Sequence, residues 1–94
     1  MARRSLREAQ VEAERMILAT ESAVAVDSDL LKPRKRTTIE ALLARARAAA
    51  AEANAPRAIE DAVEALAAGT ESFAAARMNR GIRTALAGRN VNEL

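Results

Sequence analysis

The chain has 94 residues, and its 15 lysines and arginines against 13 aspartates and glutamates leave a net charge of only +2. It contains no cysteine and no histidine. That excludes disulfides, thiolate chemistry, the usual zinc, iron and copper sites and every histidine-based catalytic dyad or triad. A chain this short is one small domain or a piece of a larger one, and the pI of 9.9 overstates so small a charge excess and does not by itself indicate nucleic-acid binding.

Half of the residues are hydrophobic, but there is one Phe and no Trp or Tyr. Much of the apolar content is alanine, so the core must rest on Leu, Ile, Val, Met and Phe73. No apolar run reaches the roughly 18 residues of a membrane span, and no signal-peptide core follows Met1. The expectation is a cytoplasmic chain with no membrane segment.

In chain order, the first predicted element runs from about Ala2 to Val26. Leu6, Ala9, Ala13, Met16, Ile17, Thr20 and Val24 recur at steps of three and four, the stripe of an amphipathic helix. Ser5 and Glu8 match a capping box within it. Asp27-Ser28-Asp29 ends the pattern. The second helix carries Ile39, Leu42, Leu43, Ala46, Ala49, Ala50 and Ala53. Pro33 suits its first position, where a missing N–H costs nothing, and Thr37 with Glu40 offers a rival capping box further in; a start near Pro33 is preferred. Asn54-Ala55-Pro56 separates it from a third helix with Ile59, Val63, Leu66, Thr70, Phe73 and Ala74 on one face. Met78, Ile82, Ala85 and Leu86 continue at a similar period. A bend or a separate short helix is expected near Asn79 to Gly81, an end at Gly88, and loose residues beyond. Nothing alternates as a strand does. The predicted fold is all-α: a small antiparallel bundle of three to four helices with a long first helix.

Three charged groups could carry function. Lys32, Arg34, Lys35 and Arg36, in "LLKPRKRTT", would suit a phosphate backbone or an import receptor, but no aromatic stacking partner lies near them. Arg77, Arg80 and Arg83, at steps of three, form one flank of a helix that could meet an acidic partner or RNA; Arg89 follows them. Their bland alternative is a solvated face opposite Met78, Ile82 and Leu86. Glu60, Asp61 and Glu64 cluster near the start of the third helix, where they complement its dipole but lack the enclosure that a metal site or an acid–base pair needs. No catalytic residue, cofactor site or metal site is expected in the chain.

Residues Arg7 to Arg15, "REAQVEAER", and Phe73 to Leu94, "FAAARMNRGIRTALAGRNVNEL", resemble the C-terminal helical lid of the HscA-type chaperones, the branch of the seventy-kilodalton heat-shock family that serves iron–sulfur cluster assembly. "DLL" at Asp29 to Leu31 and "IEALL" at Ile39 to Leu43 fit the same region, so the resemblance covers essentially the whole chain. The sequence departs from the family where Ala76 stands for Arg, Asn79 for Asp, Gly81 for Ser and Lys35 for an acidic residue. The last departure makes "LLKPRKRTT" a loop and helix start whose charge has drifted.

The resemblance implies that residues 1–94 are an excised lid subdomain of a substrate-binding domain, its first helix cut partway along and Met1 not native to it. It implies a β-sandwich and an ATPase domain in the same chain, ATP as the cofactor of the full-length chaperone alone, an iron–sulfur scaffold protein as client and a J-domain cochaperone. The front half of the first helix would then lie nearest the peptide groove. Leu6, Ala9, Ala13, Met16 and Ile17 are the candidate groove-facing or self-association face, through which two copies would pair if the bundle left it uncovered. Arg77, Arg80 and Arg83 are the candidate partner-contact flank. Neither nucleic acid nor membrane is expected as a partner. A stand-alone helical adaptor or regulator, and less favourably a small nucleic-acid-binding bundle, remain as alternatives.

Overall fold

The computed structural model describes residues 5–52 and 54–93; Ala2 to Arg4 of the first predicted helix and Ala53 of the second lie outside them. Four helices follow one another: α1 (Leu6–Asp27), α2 (Pro33–Glu52), α3 (Pro56–Gly69) and α4 (Glu71–Glu93), with a 3-10 turn at Ser28–Leu30. No strand occurs among the described residues.

Local chemistry explains the boundaries. The Ser5–Glu8 capping box is formed. Glu8 N–H donates to Ser5 Oγ and Ser5 N–H to Glu8 Oε1, each at 3.1 Å, satisfying two of the donors that a helix start leaves unpaired. The 3-10 turn closes with Leu31 N–H donating to Ser28 O at 3.0 Å. α2 begins at Pro33 as expected. Its Thr37 is not a cap, because the Thr37 hydroxyl donates back to Pro33 O at 3.0 Å. Pro56 opens α3, again where its missing N–H is harmless.

The break between α3 and α4 departs from expectation. It falls at Thr70, whose hydroxyl and N–H both donate to Leu66 O, at 2.9 and 3.0 Å. α4 then runs through Asn79, Gly81 and Gly88 to Glu93, with no bend or stop where glycine was expected to cause one. A glycine costs a helix only about 1 kcal/mol, too little to end one by itself. At Gly69 the glycine has a packing role instead: a Cβ there would overlap Leu42 Cδ1.

α1, α2 and α3 form an antiparallel three-helix bundle. Gln10 Nε2 donates to Ala50 O at 3.3 Å, joining the start of α1 to the end of α2. One core cluster contains Ile17, Ile39, Leu43, Ala46, Ala62, Leu66 and Phe73. A second contains Ala9, Ala13 and Ile59. Ala49 touches both. Buried alanines let the helix axes approach closely while contributing little area each. The buried Thr20 hydroxyl is satisfied by Met16 O at 2.8 Å. Among the described residues, α4 packs mainly through its first turns and then projects. The radius of gyration is accordingly 16.6 Å, against about 12–13 Å for a compact chain of this length.

Candidate functional site

The α1 stripe lies on the inner side of the bundle. Ala9, Ala13 and Ile17 are buried. Leu6 packs on the second cluster and Met16 on the first. The bundle thus buries three of the five residues that sequence offered as a groove-facing or self-association face and partly covers Leu6 and Met16, because α2 and α3 fill their side of α1. The outer side of α1 remains open, with Leu18 and Val26 exposed. Beside it an open groove of about 470 Å³ runs between α1 and α2, lined by Glu14, Ile17, Leu18, Arg47, Ala50 and Ala51. Arg47 pairs with Glu21 across these two helices.

The arginine flank is divided. Arg77 Nε donates to Asp27 Oδ2 at 2.8 Å, and Arg80 Nη1 to Asp27 Oδ1 at 3.1 Å. Arg80 also grips Asp29 through two bonds. The Arg77 guanidinium lies 5.9 Å from the centroid of the Phe73 ring, within cation–π range. Two arginines of α4 therefore clasp the corner between α1 and the 3-10 turn, over the buried Phe73. The bond from Arg80 holds the Asp29 carboxyl below its ordinary pKa, and the same bond holds Arg80 protonated. Arg83 is exposed, and the Arg89 side chain lies outside the described residues. The sequence reading saw the arginines but missed their partners. Asp27 and Asp29 were legible only as a helix end, because nothing local links them to positions fifty residues away.

The basic stretch is exposed throughout, and Arg36 pairs with Glu40 one turn on at 3.3 Å. Asp61 of the acidic cluster pairs with Arg57 at 3.6 Å. Among the described residues no group of three acidic or metal-ligating side chains could hold a metal ion, and no helix is long and apolar enough to cross a membrane.

A further surface escaped the sequence reading. Met78, Ile82 and Leu86 are 67, 51 and 50% exposed, although they had been read as continuing the core period of α3. They lie one phase away from it. Phe73 is buried, and the helical continuation of its face is Ala76, Arg77 and Arg80, whereas Met78 stands five residues on, on the opposite side.

No family model and no solved structure matches the chain. Curated relatives do. It is 57% identical over all 94 residues to the chaperone protein HscA homologue of Verminephrobacter eiseniae. It is 60% identical over 91 residues, 97% of the chain, to that of Methylibium petroleiphilum, and 54% identical over its full length to that of Burkholderia thailandensis. In each case the chain spans only 15% of the relative's length. With more than half of its residues identical from end to end, the chain belongs to the HscA-type chaperones as a segment of their length.

Proposed function

We propose that this segment is the C-terminal helical lid of an HscA-type, ATP-dependent chaperone, closing over a peptide-binding groove during maturation of iron–sulfur proteins. The observation that carries the reading is the end-to-end similarity to HscA homologues over 15% of their length, joined to an all-helical architecture. A lid must swing as one body to slow client release. The inner side of α1 is locked to α2 and α3 by the two core clusters, so force on α1 is borne by the whole bundle. Its outer side stays open for the groove.

The segment would do no chemistry itself. Gly69, Gly81 and Gly88 all lie within helices, so the chain supplies no glycine-rich phosphate cradle. ATP would belong to an ATPase domain elsewhere in a longer cytoplasmic chain. In this reading the groove is formed by a β-sandwich of the same chain, the client is an iron–sulfur scaffold protein, and a J-domain cochaperone drives the cycle.

The test is a graft. In one of the full-length relatives the matching segment is deleted, and in a second version it is replaced by this chain. Release of a bound fluorescent client peptide is then timed in the ADP state. Deletion is expected to speed release and the graft to slow it again. A graft that releases as fast as the deletion, while folded by circular dichroism, removes the lid reading and leaves the adaptor.

A further inference from the structure

α4 is held to the bundle differently from the other helices. A single residue, Thr70, separates it from α3, with ψ near 1° in place of the helical value. Phe73 then enters the core, and past it no described side chain of α4 is buried. The polar links that these later residues make to other elements are all ionic: Arg77 with Asp27, and Arg80 with Asp27 and Asp29. α1, α2 and α3 are joined by apolar clusters, which carry no charge for salt to screen. The angle of α4 rests on charges that water reaches, since the Arg80 side chain is 39% exposed and that of Asp29 65%.

We propose that α4 is a salt-releasable arm, pivoting as a rigid rod on the buried Phe73 with Thr70 as its joint, and that the clasp on Asp27 and Asp29 is the pin that fixes its angle. The two arginines have different parts in this. Arg77 lies over the Phe73 ring, at the pivot itself, and keeps that seat whichever way the rod points. Arg80 lies two turns beyond Phe73, and its bonds to Asp27 and Asp29 resist a swing with the longer lever. Arg80 is therefore the residue whose release frees the arm. Raising ionic strength from about 0.1 M to about 1 M shortens the screening length from about 10 Å to about 3 Å. That weakens exposed ion pairs while the buried clusters persist, so salt loosens the arm without unfolding the bundle. The proposal is independent of the lid reading, because it concerns only contacts within these residues.

The chain has no cysteine, so paired spin labels can be placed at will, and the distance between them measures the angle. Ala44→Cys on α2 and Thr84→Cys on α4 put both labels at exposed positions away from the clasp. Thr84 lies about 16 Å along the rod from Phe73, so a swing of about 20° moves it by about 6 Å. One narrow distance distribution is expected at low salt, and a broadened or second one, shifted by several ångströms, at about 1 M sodium chloride. Arg80→Ala should show the broad distribution already at low salt and respond little to more. Arg83→Ala removes an exposed charge outside the clasp and should behave as the parent chain does. Circular dichroism follows helix content through each titration. A parent distribution that salt does not change, a narrow one in Arg80→Ala, or equal broadening by Arg83→Ala overturns the proposal. So does a loss of helix content that tracks the broadening, since α4 would then be unravelling and not swinging.

Discussion

Arg80 holds Asp29 by both carboxylate oxygens, Nη1 at 3.1 Å from Oδ1 and Nη2 at 2.5 Å from Oδ2, across 51 positions of sequence. The same guanidinium reaches Asp27, which Arg77 also holds. This clasp, with Phe73 beneath it, is what sets the direction in which α4 leaves the bundle. Apart from it, among the described residues, α4 touches the rest of the chain mainly through its first turns.

Asp27 is the residue on which the clasp depends. It ends α1, where a negative charge opposes the helix dipole by about 0.3–1 kcal/mol, and its side chain is only 16% exposed. Two arginines turn that adverse charge into a favourable one. Asp27→Ala is expected to cost on the order of 1 kcal/mol, measured by urea unfolding. Asp29→Ala should cost less, since Asp29 is 65% exposed and shares a single arginine. In a background where Arg77 and Arg80 are both alanine, Asp27→Ala should become neutral or stabilising, because only the dipole conflict is left to relieve. An unchanged cost in that background would mean that Asp27 acts through something other than the clasp.

Acid should loosen the same corner. The bond from Arg80 lowers the Asp29 pKa from its ordinary 3.8, so the folded chain binds the proton more weakly than the unfolded one does. The contribution is complete above the unfolded value and is lost as pH falls below about 4 and through the depressed folded value. Arg80 stays protonated throughout. Protection of the amides in the first turns of α4, measured as exchange relative to the intrinsic rate at each pH, should fall below pH 4, and Asp29→Asn should already show lower protection at neutral pH with a flatter acid dependence. Equal acid profiles for the two proteins would exclude Asp29 as the titrating group.

The sequence carried the helix starts and the inner faces because the signals are local. Pro33 and Pro56 open helices for a reason confined to their own rings, and Ser5 with Glu8 closes a cap within one turn. The stripes of α1 and α2 keep a constant phase, and their buried residues follow it. The end of α3 and the course of α4 were harder to read because the deciding contacts are tertiary. At Gly69 what matters is the approach of Leu42, which no local pattern announces. Gly81 and Gly88 were given weight as breakers that their small propensity cost does not support. The five-residue step from Phe73 to Met78 was visible in the sequence as a change of phase. It separates a buried face from an exposed one and would have been the available warning.

Gly69 therefore makes a specific energetic prediction. Ala is favoured over Gly inside a helix by about 1 kcal/mol, yet a Cβ at this position overlaps Leu42 Cδ1, at the flexible end of a half-buried side chain. Gly69→Ala in the wild-type background should therefore bring no gain in stability, and a loss if Leu42 cannot turn aside. Leu42→Ala should destabilise on its own by removing core contacts. On top of it, Gly69→Ala should stabilise by about 0.5–1 kcal/mol. A double-mutant cycle by denaturant unfolding measures this coupling. Additive single effects would show that Leu42 yields freely and that the close approach carries no energy.

The basic stretch makes the opposite kind of prediction, a gain. Arg36 N–H donates to Lys32 O at 2.9 Å, which places Lys32 at the cap of α2 and Pro33, Arg34 and Lys35 in its first turn. No acidic residue lies in that turn, although the unpaired N–H groups there favour negative charge. Lys35→Glu should raise stability by about 0.3–1 kcal/mol at low ionic strength, and the gain should shrink as salt screens it. Lys35 is exposed, so the substitution disturbs no packing, and peptide retention by the grafted chaperone should be unaffected. If Lys35→Glu instead leaves stability alone or lowers it at low salt, the positive charges make a compensating contact. If it stabilises the fold while impairing retention, the stretch has been kept basic for a partner, at the expense of the helix that it begins.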